Sequence, residues 1–175
     1  MAEIYPRTLN KSLYIQLVFL VDLKRNQFYW TGKSYPMSGP EEKRLIRISD
    51  LTTHFYEVDV GKVMILGCHD LNVFSPRGKA TTKKEWRKQV RDDFDKNIRT
   101  EKPKIVLQHP HIFTTPRTWT AAWNELLTTD DSIKYSSAGR FNEQNSKPDV
   151  LCNVLKKTNN CDTIDFVVHL NKEEK

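Results

Sequence analysis

Apolar residues along the 175-residue chain fall into short runs with two different periods. "LYIQLVFLVD" (13–22) is rich in β-branched and aromatic residues, and the polar connection "LKRNQ" separates it from "FYWTG" (28–32). Two such runs predict a β-hairpin. "KSYPMSGPEEK" (33–43), with two prolines and a glycine, predicts a loop. Residues 44–62 alternate weakly and predict short strands. Val63, Met64, Ile65 and Leu66 run on without a polar break to Gly67. That pattern predicts a strand over 63–67 buried on both faces, because a half-exposed strand would alternate. Over 81–100 the period changes. Trp86, Val90, Phe94 and Ile98 recur every four residues and make one apolar stripe of a helix. Thr81 and Thr82 supply its start cap, and Pro103 lies beyond its end. "KIVLQ" (104–108) predicts the next strand. Residues 116–128 predict a helix with Pro116 at its start and Trp119, Ala122, Trp123, Leu126 and Leu127 on its core side. A strand over 133–139, a short helix over 148–158 and a last strand over 163–170 complete the chain.

This alternation predicts one α/β domain over residues 1–175, a mixed β-sheet layered with helices. In such sheets, ligand groups collect beyond the carboxyl ends of the strands. Two strand ends release chemistry there: "GCHD" after the run at 63–66 and "HPH" after "KIVLQ". If the two strands are parallel neighbours joined by helix 81–100, then Cys68, His69, Asp70, His109 and His111 share one edge. A cysteine attacks carbon only as thiolate, so the thiol reading needs a base or cation close by and a donor for the oxyanion; Lys33, Glu41, Glu42 and His109 are the candidates. The other chemistry is a metal held by His69, Asp70, His109 and His111, which are sensible zinc or iron ligands. Adjacent residues on an extended chain face opposite ways, so His69 and Asp70 would need a turn between them. His54 and His169 stand alone and read as structural.

Composition narrows the picture. Hydrophobic residues at 38% and charged residues at 29% are those of a folded chain. No apolar run is long enough to cross a bilayer, and the apolar stretch near the N-terminus is followed by "DLKRNQ" and not by a small-residue cleavage site, so no membrane partner is expected. Three cysteines at irregular spacing argue against a disulfide framework and for a reducing, cytoplasmic setting. The net charge of +6 permits nucleic-acid contact. In "KKEWRKQVRDDFDK", however, bases alternate with acids as on a solvated helix face, so nucleic acid is not the expected partner.

The order of motifs resembles the nitrilase, or carbon–nitrogen hydrolase, superfamily over roughly residues 13–140. The features are Tyr29 to Lys33, then "PMSGPEE", then "FYEVDVGKVMIL" leading into Cys68-His69-Asp70, then "PKIVLQHPH", "WTAAWNELL" and "IKYSSAGR". The resemblance implies an αββα sandwich and dimerisation. It implies a Glu-Lys-Cys site in which Cys68 is the nucleophile, Lys33 stabilises the tetrahedral intermediate and the backbone N–H after Cys68 completes the oxyanion hole. Glu41 or Glu42 matches the family's additional loop glutamate. His69, Asp70 and His111 are expected to line the substrate pocket. The family's general-base glutamate has no counterpart, since Glu3 is the sole acid before Asp22. A Cys–His pair using His69 or His109 would replace it. The expected activity is hydrolysis of an amide or nitrile through a thioester, with no cofactor and no metal, in a homo-oligomer. The alternatives are a catalytically silent nitrilase-like domain that binds a protein partner, and the metal-dependent hydrolase.

Overall fold

The computed structural model describes residues 2–4, 13–36, 39–81, 83–109, 116–142 and 162–169. Strands β1 (Ala2–Ile4), β2 (Leu17–Asp22) and β3 (Gln27–Gly32) form an antiparallel sheet in that order. Strands β4 (Phe55–Val58), β5 (Gly61–Leu66), β6 (Ile105–Gln108), β7 (Tyr135–Asn142) and β8 (Asp162–His169) form a second sheet, also in chain order. There β4 runs antiparallel to β5, and every other neighbouring pair is parallel. With helices α1 (Gly39–Glu42), α2 (Pro76–Thr81), α3 (Glu85–Glu101) and α4 (Pro116–Thr129), the chain belongs to the mixed α/β class that its pattern predicts.

Local chemistry sets the turns. In the β2–β3 hairpin the Asp22 carboxylate accepts from the N–H groups of Lys24 and Arg25 at 3.0 and 3.1 Å, and Asn26 takes φ +51° to re-enter the ladder. Gly61 opens β5 at φ +113°, which a residue with a Cβ rarely adopts.

The uninterrupted apolar run of β5 follows from its two covered faces. Val63 and Ile65 pack with Val18 of β2 and with Leu20, Ile105 and Leu107. Met64 and Leu66 point the other way, into a cluster with Phe94 and Ile98 of α3 and with Trp119, Trp123 and Leu126 of α4. The molecule is thus stacked in layers: helices, five-stranded sheet, three-stranded sheet. On the outer side of the last layer the cross-strand pair Val21 and Phe28, together with Trp30, is 52%, 58% and 52% exposed.

Three expectations change. The segment 33–43 is not all loop, because Gly39–Glu42 makes one helical turn. The helix expected over 81–100 begins at Glu85, and Pro76–Thr81 is a separate helix. Glu42 explains the later start: it holds Lys84 Nζ and Trp86 Nε1, and Lys84 stays extended in front of α3. The strands expected over 44–62 reduce to one bridge at Leu45, a 3-10 turn over Leu51–His54, and β4. The helix expected over 148–158 lies outside the described residues. Among the described residues no helix is long and apolar enough to cross a membrane.

Phe94 is fully buried, with ring contacts to His54 and Phe74 at 5.0 and 5.9 Å. Phe94→Ala is expected to cost about 3–5 kcal/mol in denaturant unfolding. Leu23→Ala, at a side chain 89% exposed on the hairpin loop, is expected to stay within about 0.5 kcal/mol.

Candidate functional site

Leu66 pairs with Gln108, and the His109 N–H donates to Leu66 O at 3.1 Å. Strands β5 and β6 are therefore parallel neighbours, and Cys68, His69, Asp70 and His109 leave the sheet at one edge. The chain does not run on past Gly67. It turns at residues 68–69 and enters a 3-10 turn over Asp70–Phe74, which turns Asp70 away from Cys68 and His69.

Asp70 points inward. One carboxylate oxygen accepts from the N–H groups of Ser34 and Tyr35, both at 2.9 Å, and the other accepts from the N–H of Gly67 at 3.0 Å. The side chain is fully buried. A Cβ at Gly67 would stand 3.0 Å from that second oxygen and 3.3 Å from Val18, so glycine is what lets the carboxylate approach. Asp70 was expected to line the substrate pocket; both of its oxygens are instead engaged by backbone, joining the end of β3 to the turn after β5.

That joint sets Lys33, the residue before Ser34, against Cys68 and His69. Lys33 is buried, and its ammonium pairs with Glu41 of α1. The same nitrogen lies 2.9 Å from His69 Nδ1. The other ring nitrogen, Nε2, lies 3.9 Å from Cys68 Sγ. An ammonium has no lone pair and can only donate, so Nδ1 is the acceptor and Nε2 carries the hydrogen that faces the sulfur. The resulting chain runs Glu41–Lys33–His69–Cys68. The imidazole facing the sulfur is that of His69, the residue next to it. His109 is half-buried on the same edge, and His111 lies outside the described residues.

The second glutamate of α1 faces elsewhere. Glu42 binds Lys84 Nζ at 2.7 Å and Trp86 Nε1 at 3.1 Å, with Arg87 at 3.6 Å, and the Lys84 hydrogen bond holds its carboxyl below the usual range. It was expected at the substrate; here it anchors the start of α3.

Two supporting residues carry no clear mark in the sequence. Gln108 is fully buried, and its side-chain amide donates to Cys68 O at 3.1 Å, steadying the peptide of the thiol residue. The only hint is a polar residue ending the apolar run "IVLQ". His54 is also fully buried. Its Nδ1 lies 2.7 Å from Ile65 O and its Nε2 2.9 Å from Ser34 Oγ. A carbonyl only accepts, so Nδ1 bears the hydrogen and Nε2 accepts from the hydroxyl. His54 is a satisfied core histidine that braces the residue after Lys33.

The metal arrangement requires His69 and Asp70 to turn to one ion. Asp70 is held by three N–H groups, and His69 Nδ1 faces an ammonium. Among the described residues no group of three or more His, Cys, Asp or Glu is placed to hold a metal.

Two outcomes test this framework. Asp70→Asn puts an NH2 group against backbone N–H donors. It is expected to cost about 2–4 kcal/mol in denaturant unfolding, while a variant as stable as the parent would show that the joint bears nothing. His54 is kept neutral by burial, which outweighs the opposing pull of Asp70 and Asp50. In the unfolded chain its ring takes a proton near ~6.5. Below that pH the unfolded state binds more protons, so this share of stability is complete above ~6.5 and falls as the solution is acidified. The unfolding free energy is expected to decline between pH 7 and 5, with a shallower decline in His54→Phe. Equal slopes would rule out His54 as the source.

No protein-family model matches the chain, and neither a curated protein nor a solved structure shows significant similarity to it.

Proposed function

We propose that the chain is a thiol hydrolase of carbon–nitrogen bonds, cleaving an amide or nitrile through a covalent intermediate on Cys68. The observation that carries this reading is the chain Glu41–Lys33–His69–Cys68, in which a buried lysine sets the tautomer of the imidazole beside the thiol. The motif order that resembles the carbon–nitrogen hydrolases supports it. So does the stacking of helices and two sheets, which supplies three of the four layers of an αββα sandwich.

The residues divide the work as follows. The hydrogen on His69 Nε2 stabilises the Cys68 thiolate, and the sulfur attacks the carbonyl carbon. The backbone N–H of His69 is assigned to the oxyanion. As the C–N bond breaks, the departing amine takes the Nε2 proton, and Nδ1 is recharged from Lys33. Water then attacks the thioester and gives its proton back to Nε2, while the Nδ1 proton returns to Lys33. The acid is released and the thiolate is restored. With a nitrile the first step is addition, the nitrogen takes the Nε2 proton, and a thioimidate forms. Lys33 acts through His69 in this scheme, since the imidazole stands between them. His69 therefore takes the part that His109 was expected to share. Glu41, expected at the substrate, holds the lysine in place.

A second reading, a silent domain that binds a partner, draws on the half-exposed Val21, Phe28 and Trp30 on the outer sheet face. Cytoplasmic location and self-association are part of the leading proposal.

Alkylation against pH, followed by peptide mapping, separates the two readings. Cys68 is expected to label at least about tenfold faster than Cys152 and Cys161 near pH 6.5, because the His69 Nε2 hydrogen faces its sulfur. His69→Phe and Lys33→Met should each remove most of that advantage. On an amide or nitrile panel, Cys68→Ser should abolish turnover and His69→Phe should lower kcat roughly 10²–10⁴-fold. A Cys68 that labels like the other two cysteines would leave the silent domain standing.

A further inference from the structure

Glu41 and Glu42 are consecutive, yet one belongs to the thiol chain and the other to the start of α3. Their Cα atoms are ~3.8 Å apart, so whatever surrounds Glu42 stands at the rim of the candidate site. What surrounds it is positive. The segments 42–47 and 83–88 meet there, through the bonds of Glu42 to Lys84 and Trp86 and through the Arg47 guanidinium, which lies 4.1 Å from the centre of the Trp86 ring. Arg87 covers the same ring at 4.7 Å and Tyr35 at 4.5 Å, and it donates to Pro36 O at 2.8 Å. Tyr35 is itself tied to Asp70, so this rim is fastened to the frame that holds Lys33.

Segments 42–47 and 83–88 hold seven basic residues, Lys43, Arg44, Arg47, Lys83, Lys84, Arg87 and Lys88, against two carboxylates, Glu42 and Glu85, which pair with Lys84, Arg87 and Lys88. Glu41 adds none to that balance, because it is matched by Lys33. Lys43, Arg47 and Lys83 are exposed. A stacked guanidinium keeps its N–H edge free in a fixed orientation, which suits a planar oxyanion. An excess of positive charge beside a site raises the local concentration of anions there.

We propose that the site takes anionic substrates: amides or nitriles that carry a carboxylate, drawn in by the cationic rim of segments 42–47 and 83–88. This rests on the thiol-hydrolase reading and names its substrate class. The scattered charge of "KKEWRKQVRDDFDK" thereby gains a use, because folding sets its basic front end beside the lysine and arginine that follow α1.

The test compares two alkylating agents of similar size, neutral iodoacetamide and anionic iodoacetate, on Cys68 in the full chain. Each rate is referred to the same rates for N-acetylcysteinamide. At low ionic strength the iodoacetate-to-iodoacetamide ratio at Cys68 should exceed that of the free thiol by about tenfold, within the ~10–10³ range of electrostatic focusing. It should fall towards the free-thiol value in 0.5 M salt, where the Debye length is only a few ångströms. In Lys43→Glu/Lys83→Glu the ratio should drop at low salt while the iodoacetamide rate is kept. The salt series on the unmodified chain stands by itself if the double variant folds poorly. A Cys68 that reacts fast with iodoacetamide, but whose ratio matches the free thiol or ignores salt, overturns the anionic-substrate proposal and leaves the thiol reading intact. A Cys68 slow with both reagents overturns the thiol reading and this proposal with it.

Discussion

The arrangement depends on one buried carboxylate. Asp70 accepts three backbone N–H groups from two separate parts of the chain, the end of β3 and the turn after β5. A carboxylate taken out of water is costly unless its lone pairs are met, and hydrogen bonds to a charged group contribute about 1.5–3 kcal/mol each. Three of them make the buried anion tenable, and they also leave it no freedom. The consequence is geometric: Lys33 precedes the two residues held by one oxygen, while Cys68 and His69 follow the glycine held by the other. Lysine, imidazole and thiol therefore meet without any long side chain having to search for its partner. His54 repeats the device one step away, clasping Ser34 on one nitrogen and Ile65 on the other.

Around this joint the layers do complementary work. The five-stranded sheet needs both faces covered because residues 63–66 of β5 have no polar position to show to water, and the helices and the smaller sheet supply those covers. Placing β2 and β3 on the face opposite the helices brings the end of β3 to the edge where β5 and β6 stop. Lys33 can then be buried at the seam between sheets only because Glu41 accompanies it. On a single helical turn, neighbouring residues point about 100° apart, so Glu41 turns in to the lysine while Glu42 turns out to α3. A four-residue helix thus links a buried ion pair to an exposed basic surface.

The legible part of the sequence was that governed by period and by strand ends. The run at 63–66, the stripe Trp86–Val90–Phe94–Ile98 and the pair of runs around residues 23–27 each predict an element that the structure contains, and the shared edge of β5 and β6 follows from parallel pairing. What escaped was set by contacts remote in sequence. The start of α3 is decided by Glu42, more than forty positions earlier, so a threonine pair that looks like a cap does not serve as one. The inward turn of Asp70 depends on donors at Ser34 and Tyr35, and no local pattern announces a carboxylate that serves backbone. Gln108 looked like a strand end and supports the Cys68 peptide. Of the two glutamates in "PEEK", spacing could not say which meets Lys33, because that depends on how one short turn is rotated.

The choice of imidazole beside Cys68 illustrates this more sharply. Two histidines adjoin strand ends, and the sequence leaves open whether His69 or His109 faces Cys68, because adjacent residues on an extended chain diverge. That argument holds only while the chain stays extended. Gly67 lets the carboxylate of Asp70 close on its N–H, the backbone turns at once, and the side chains of Cys68 and His69 swing to the same side. The same closure brings up Lys33, whose ammonium can only donate, and so the ring hydrogen is left on the nitrogen nearest the sulfur. The placement of hydrogens at Cys68 is in this sense a consequence of Gly67 and Asp70, whose contact sets the turn that follows.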